Sequence, residues 1–377
     1  MKRKCPVCGN KKTRLLFTQT FAKIDGVSFL DGYDVVSCEQ CGFVYASNIP
    51  EQEDFDKYYI NSNMYEHEII QPDIITDRYE HVIQEIMRFN ASKTVSIIDI
   101  GCGRSEILRS LQKKGFSGLT GMDPSVKSIE YIKTKGINGI NGTIKTMDTS
   151  KQYDIVLFFG VLEHIVDLNQ ALNQLYAITS TNGILIITVP DMTAPSPCEF
   201  PYQEFSREHV NFFTDVSLSN LMMQHGFHVI FLKKEGGDIT GFFGKQSTSI
   251  QKDIGGEQYI QHYIEQSKKY ENEIYSNLTK LSNVPVIVWG VGTFTQRLLA
   301  KSILKNIVAL VDSNPQYADG KYNDVCIISP HELSRYKEQI LLAVSSRYID
   351  TILHIIKDEM KLDNEIIKIQ TDYSFMY

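Results

Sequence analysis

The sequence predicts a three-part α/β protein: a small cysteine-bearing module, a central Rossmann-like α/β domain and a second Rossmann-like α/β domain at the C-terminal end. Three observations carry this. Two CxxC pairs bracket the first 50 residues, short apolar runs alternate with amphipathic stretches from Val95 to Leu232, and a strand, a glycine turn and a helix begin again at Val286. At 377 residues the chain is long for one core. The expected divisions are 1–50, a linker and helix over 51–94, the central domain over 95–248, a connecting helix over 249–283, and 284–377.

The elements follow in order. Arg14 to Phe17 and Tyr33 to Ser37 read as strands, with turns at Asp25-Gly26 and Asp31-Gly32. Residues 51–70 are acidic and rich in tyrosine (Tyr58, Tyr59, Tyr65), and Ile74 to Phe89 has helical apolar spacing. Val95–Ile100, Leu119–Met122, Ile155–Phe159 and Ile184–Val189 read as strands. Ser105–Lys114, Ser125–Lys135 and Leu168–Ile178 read as the helices between them. That alternation predicts a largely parallel sheet covered by helices. Residues 191–216 form a long connection rich in proline and aromatics, a length that is often functional. Helix Ser217–His225 and strand His228–Leu232 close the domain. After a polar helix from Gln258 to Leu281, the last unit runs through strand Val286–Trp289, helix Thr295–Leu304, strands Val308–Val311 and Ile340–Val344, and helix Tyr348–Glu359.

Composition excludes several classes. The hydrophobic share of 42% and charged share of 22% are those of a soluble globular protein. A net charge of −7 argues against nucleic acid as the main partner, although Lys2-Arg3-Lys4 with Lys11-Lys12-Arg14 forms a local basic patch. No apolar run approaches the roughly 20 residues that span a bilayer, so no membrane partner is expected. No apolar segment of signal-peptide type follows the charged N-terminus. Seven cysteines, with Cys102, Cys198 and Cys326 standing alone, do not look like a disulfide framework, and a cytoplasmic location is the expectation.

Cys5-Pro6-Val7-Cys8 and Cys38-Glu39-Gln40-Cys41 each place two thiolates on a tight turn, with Gly9 and Gly42 beside them. Four thiolates match tetrahedral Zn²⁺, and a closed Cys₄ site is architectural. A piece this small gains stability from such a metal. Redox or catalytic use of the cysteines is the alternative.

Asp99-Ile100-Gly101-Cys102-Gly103 lies between a strand and a helix, where glycines let the backbone approach a ligand and the helix start offers free N–H groups. About 20 residues later the next strand ends in Asp123, before Pro124, where a carboxylate can accept both hydroxyls of a ribose. The DxGCG form favours adenosylmethionine over NAD.

VSIIDIGCG, GLTGMDPS, YDIVLFFGVLEHIVD and GILIITVP stand in the order typical of class I methyltransferases, and the chain resembles that family over the central domain. The resemblance implies S-adenosylmethionine as cofactor. It places Gly101 and Gly103 at the methionine part, Asp123 at the ribose, Thr143 and Ile144 near adenine, and Phe159 and Gly160 beside the sulfonium, with Asp99, Cys102 and Pro124 as further expected cofactor contacts. Glu163-His164 reads equally as a brace for the sheet or as a pair at the site.

An acceptor needs in-line alignment and, where it carries a proton, a base. Phe205-Ser206-Arg207-Glu208-His209-Val210-Asn211 supplies His209 as base, with Glu208 to orient or charge-tune it; capping of the following helix is the alternative. With its four-cysteine module and dinucleotide-like C-terminal half, the chain is similar to the zinc-containing C-methyltransferases that act on nucleotide-activated deoxysugars. That resemblance implies a Glu-His pair whose His removes a proton beside a 4-keto group. Ser206 stands where the family usually carries Tyr, and Tyr202, Tyr58 or Tyr59 are the expected substitutes. Substrate contacts are expected from Tyr59 and Tyr202 and, at the second glycine turn, from Gly290, Gly292, Thr293 and Arg297; a unit that only packs or dimerises is the alternative.

The leading expectation is thus carbon methylation of a nucleotide-sugar by a monomer or homodimer. O- or N-methylation of a sugar or metabolite, an RNA-modifying zinc protein and a non-catalytic sugar-nucleotide-binding module are the other readings.

Overall fold

A computed structural model describes residues 2–24, 29–61, 79–89, 92–194, 200–245, 253, 255–317 and 320–369. The turn at Asp25-Gly26, Tyr65, the start of the helix expected from Ile74, and Cys198 lie outside the described residues. The N-terminal segment forms β1 (Thr13–Thr20), β2 (Gly32–Cys38) and β3 (Val44–Ser47), paired antiparallel in that order. Helices α1 (Gln52–Asn61) and α2 (Glu80–Phe89) follow. α2 buries Val82, Ile83 and Ile86, spaced to share one helical face.

The central part runs β4 (Ile97–Ile100), α3 (Glu106–Lys113), β5 (Leu119–Asp123), α4 (Val126–Thr134), β6 (Asn138–Asn141), β7 (Tyr153–Phe159), α5 (Leu168–Ile178) and β8 (Thr179–Pro190). It continues through β9 (Asn211–Phe212), α6 (Asp215–Gln224), β10 (Phe227–Glu235) and β11 (Asp238–Lys245). Seven strands make one sheet in the order β6-β5-β4-β7-β8-β11-β10, and β11 runs antiparallel to both neighbours. The sheet is covered on both faces. Ile98 and Ile100 join one core with Val156 and Phe158, whereas Ile97 joins the other with Leu157, as a two-residue period requires. Side-chain caps fix three helix starts: Ser125 for α4, Asp167 for α5 and Thr214 for α6.

β9 leaves this sheet. It pairs antiparallel with β3, Tyr45 against Asn211 and Val44 against Phe212, and makes the N-terminal sheet four-stranded. The long connection after β8 is therefore fastened to the cysteine-bearing module.

Helix α7 (Gly256–Leu278) leads to β12 (Val286–Trp289), α8 (Thr293–Ala300), β13 (Ile307–Val311), β14 (Lys321–Tyr322), β15 (Val325–Ile328), β16 (Gln339–Leu342), α9 (Ser346–His354) and β17 (Ile366–Lys368). This third sheet has the order β14-β15-β13-β12-β16-β17 and is parallel except for β14. Among the described residues, no helix is long and apolar enough to cross a membrane.

Candidate active site

β4 lies between β5 and β7, so the chain turns to opposite sides of the sheet on either side of it. Open α/β sheets place ligands in the crevice at such a switch point. A cleft of about 1160 Å³, counting its open mouth, occupies it here. Gly101, Asp123, Pro124, Thr143, Ile144 and Gly160 line it.

The floor is pinned before any ligand arrives. The backbone N–H groups of Gly101 and Cys102 both donate to the Met122 carbonyl, at 2.8 and 3.0 Å. Asp123 accepts from the Gly103 N–H and the Ser125 N–H, each at 2.8 Å, one on each carboxylate oxygen. Each oxygen keeps acceptor capacity toward the cleft. Gly101 has φ +74°, and a Cβ there would stand 2.5 Å from Val161 Cγ2. Asp99 lies behind the loop, buried, and accepts from Ser105 Oγ at 3.0 Å; burial lifts its pKa to about 7.

Two expected cofactor contacts turn away from the cleft. Phe158 lines it, whereas Phe159 stacks on Tyr79 at 5.6 Å between ring centroids. Successive side chains of a strand face opposite ways, and the motif reading chose the wrong parity. Cys102 is buried in the core on the Ile97 face, so only its backbone belongs to the loop.

Part of the cleft wall is polar: Tyr59, His164 and Glu208 line it, as do Asp56 and Lys145, whereas His209 is not among the lining residues. His164 Nδ1 is 3.0 Å from the Tyr59 hydroxyl and 3.2 Å from the Glu208 carbonyl oxygen. The Tyr58 hydroxyl donates to Glu208 Oε1 at 2.7 Å. The carboxylate of Glu208 is therefore held by a tyrosine rather than by His209. The His209 ring meets His164 edge-on at 4.9 Å, and its Nδ1 is 3.6 Å from Glu204 Oε2. One ligand-type atom each from Glu163, His164 and His209 lies within 4.8 Å of the others.

These groups set one another's charge. Burial and the neighbouring His209 push His164 down to about 3, so it is neutral. Burial would also depress His209, but Glu204, Glu163 and Glu208 outweigh it and carry its pKa up to about 9. Burial raises Glu163 to about 7 against the pull of His209. Sequence reasoning missed Glu204, which sits inside the aromatic connection with no motif around it. It left Glu163 and His164 undecided; the short turn Leu162–His164 puts His164 at the cleft and Glu163 behind it.

The remaining expected substrate residues are elsewhere. Tyr202 is 2% exposed, stacked on Phe17 at 4.5 Å, with the Arg297 guanidinium carbon 4.2 Å from its ring centre. Arg297 is itself buried, ion-paired with Glu271 and bonded to Gln19 Oε1 at 2.8 Å. Its charge is spent inside the molecule, which corrects its assignment as a diphosphate ligand. Gly290, Gly292 and Thr293 form the second glycine turn, where Asp312 accepts from the Val291 N–H at 2.9 Å, as Asp123 does at the first turn. None of the three lines the cleft.

At the N-terminal end, Cys5 Sγ is 3.5 Å from Cys41 Sγ, and Cys8 Sγ is 3.5 Å from Cys38 Sγ. Tetrahedral Zn–S bonds of about 2.3 Å put sulfurs about 3.8 Å apart, so the four thiols fit one such ion. Gly42 has φ +82°, and a Cβ there would strike the Asp253 carbonyl oxygen at 2.0 Å, so only glycine closes the second knuckle.

The sheet order, the reversed β11 and the glycine loop facing an acidic strand end define a class I methyltransferase domain. Residues 74–232 match the family model described as a methyltransferase domain, and that part of the chain is an S-adenosylmethionine-dependent methyltransferase domain. Residues 282–367 match a second family model, described as C2185-like, N-terminal. Curated relatives include the ubiquinone biosynthesis O-methyltransferase of Rickettsia prowazekii, 31% identical over 31% of this chain and 48% of that protein. The protein of the same name from Bradyrhizobium diazoefficiens is 27% identical over 28% of this chain and 44% of its own. The chain thus spans about half the length of the curated relatives it matches. Among solved structures, the Burkholderia thailandensis 1,6-didemethyltoxoflavin-N1-methyltransferase is similar with 14% identity and a TM-score of 0.42, covering 56% of this chain and 97% of its own.

Proposed function

We propose that the protein transfers a methyl group from S-adenosylmethionine to a small-molecule acceptor held against the Tyr59–His164–Glu208 wall. The observation that carries this reading is one cleft lined both by Gly101 and Asp123 and by His164 and Glu208. Asp123 takes the ribose hydroxyls, Gly101 and Gly103 approach the methionine part, Thr143 and Ile144 flank adenine, and Gly160 lies beside the sulfonium. The bound cofactor supplies an electrophilic methyl; the chain supplies alignment and the handling of a proton. Cys5, Cys8, Cys38 and Cys41 hold a structural Zn²⁺.

The acceptor in this reading is a nucleotide-activated keto-sugar methylated at carbon. His209 takes the proton from the carbon beside the carbonyl, and the resulting enolate attacks the methyl, releasing S-adenosylhomocysteine. The order of cysteine module, methyltransferase domain and C-terminal α/β half supports it, and the His209 ring stands edge-on to the cleft-lining His164 at 4.9 Å. A second reading, transfer to a hydroxyl, draws on the relatives named as O-methyltransferases.

Thermal shift with S-adenosylhomocysteine and then UDP-, GDP-, CDP- and dTDP-sugars tests both. S-adenosylhomocysteine should stabilise the wild type and fail to stabilise Asp123→Ala, and a ligand at 100 times its Kd adds about 2.7 kcal/mol. A nucleotide-sugar should add a further shift. No response to S-adenosylhomocysteine overturns the function. A response to it with none to any nucleotide-sugar overturns only the sugar acceptor.

A further inference from the structure

One buried cation links the cysteine-bearing module to the proposed acceptor site. Arg3 is 6% exposed and lies two residues before Cys5. Its Nη1 donates to the Ala46 carbonyl at 3.1 Å and the Val210 carbonyl at 3.0 Å. Its Nη2 donates to the Val166 carbonyl at 2.8 Å and to Asn211 Oδ1 at 3.0 Å. All four acceptors are neutral oxygens.

The partners are the residues that frame the two histidines. Val210 follows His209, and Val166 lies two residues after His164, just beyond the turn that carries Glu163 and His164. The Asn211 amide held by Arg3 donates in turn to the Leu162 carbonyl at 3.0 Å and the Ile165 carbonyl at 2.7 Å. The Val210 N–H donates to the Glu163 carbonyl at 2.8 Å, and the Ala46 N–H to the Val210 carbonyl at 2.9 Å. One planar fork thus fixes the segment after His164 and the strand after His209 relative to each other. β3 and β9 already join the two parts by backbone pairing. What the guanidinium adds, at the cost of a buried charge, is a set of fixed directions.

We propose that Arg3 is a positioning residue for the His164–His209 pair, so that the cysteine-bearing module sets the geometry of the acceptor wall. This rests on the reading of that wall as the acceptor site. The test is NMR of the full-length zinc-loaded protein with ¹³C-labelled histidine, the two signals being assigned with His164→Gln and His209→Gln. In Arg3→Met, zinc content and S-adenosylhomocysteine affinity should stay within about twofold of wild type. The Cε1–Hε1 signals of His164 and His209 should move or split while the other seven of the nine histidines hold still. Arg3→Lys, which keeps the charge and part of the bonding, should bring both signals back toward wild type. If Arg3→Met folds with zinc and leaves both signals in place, the proposal is wrong. It is equally wrong if both variants lose zinc and cofactor binding, because Arg3 then only supports the fold. A wild type that does not bind S-adenosylhomocysteine sinks the methyltransferase function but leaves the histidine shifts to judge Arg3.

Discussion

Beside the cleft two histidines 4.9 Å apart differ in charge: burial and the neighbouring His209 keep His164 neutral, whereas Glu204, Glu163 and Glu208 outweigh burial and keep His209 protonated. His209 near pKa 9 carries a proton at neutral pH and must lose it before acting as a base. If His209 is the base, methyl transfer climbs from pH 7 toward 9 and levels above it, as a pH–rate profile would show. In His209→Gln, S-adenosylhomocysteine binding stays and turnover is lost; full turnover in that variant removes His209 from the base role. Asp99 gives a separate pH signature. Its folded pKa, about 7, lies above the ordinary value of 3.8. Its stabilising contribution is therefore complete below 3.8 and is lost as pH rises to about 7. Denaturant melts across that range should show a flatter slope in Asp99→Asn than in the wild type. At this scale the sequence was legible around β4 and β5, because the positions of Gly101 and Asp123 at the cleft follow from strand ends. It did not show Glu204, whose role comes from a loop folded against His209, nor the parity that turns Phe159 out of the cleft.

Elements were legible where apolar periodicity was strong. β4, β5, β7, α5 and β12 stand within a few residues of their expected bounds. Several strands went unread: β6 is Asn-Gly-Ile-Asn and β9 has two residues, while β3 and β15 are four-residue apolar runs and the eight-residue β11 is broken by two glycines; each pairs with a neighbouring strand. Such pairing is set by tertiary context rather than by propensity. The loop after β4 is the element most sensitive to change. Gly101→Ala brings a left-handed backbone strain together with a clash against Val161, 2.5 Å from the new Cβ. S-adenosylhomocysteine affinity measured by calorimetry should fall at least about tenfold, equivalent to about 1.4 kcal/mol. Binding unchanged in Gly101→Ala would mean that the loop yields freely.

For the whole molecule, the three sheets are joined by buried polar contacts that no local pattern announces. Arg297 of α8 reaches Gln19 of β1 and Glu271 of α7, and the Ala22 N–H donates to the Gln296 carbonyl at 3.0 Å. Removing one partner of a buried pair strands the other charge, at a cost of about 3–5 kcal/mol. Arg297→Met should therefore unfold at distinctly lower denaturant concentration, with S-adenosylhomocysteine still bound by the folded fraction. A midpoint equal to wild type would show that the joint carries no stability. Cys38→Ser should release zinc and loosen the N-terminal sheet; a variant that stays folded without metal would refute the structural role of the Cys₄ cluster.

The pairing of β3 with β9 also has a meaning in time. The sheet begun by Thr13–Ser47 is completed by a strand at Asn211–Phe212, and Arg3 reaches a carbonyl 207 positions along the chain. A ribosome adds about 5–20 residues per second, so the cysteine-bearing module waits on the order of ten seconds for its fourth strand. In that interval β3 is an open edge, of the kind that invites pairing with other chains. Early capture of a metal by Cys5, Cys8, Cys38 and Cys41, all of which precede β9 in the chain by well over a hundred residues, would hold the module together until its last strand arrives.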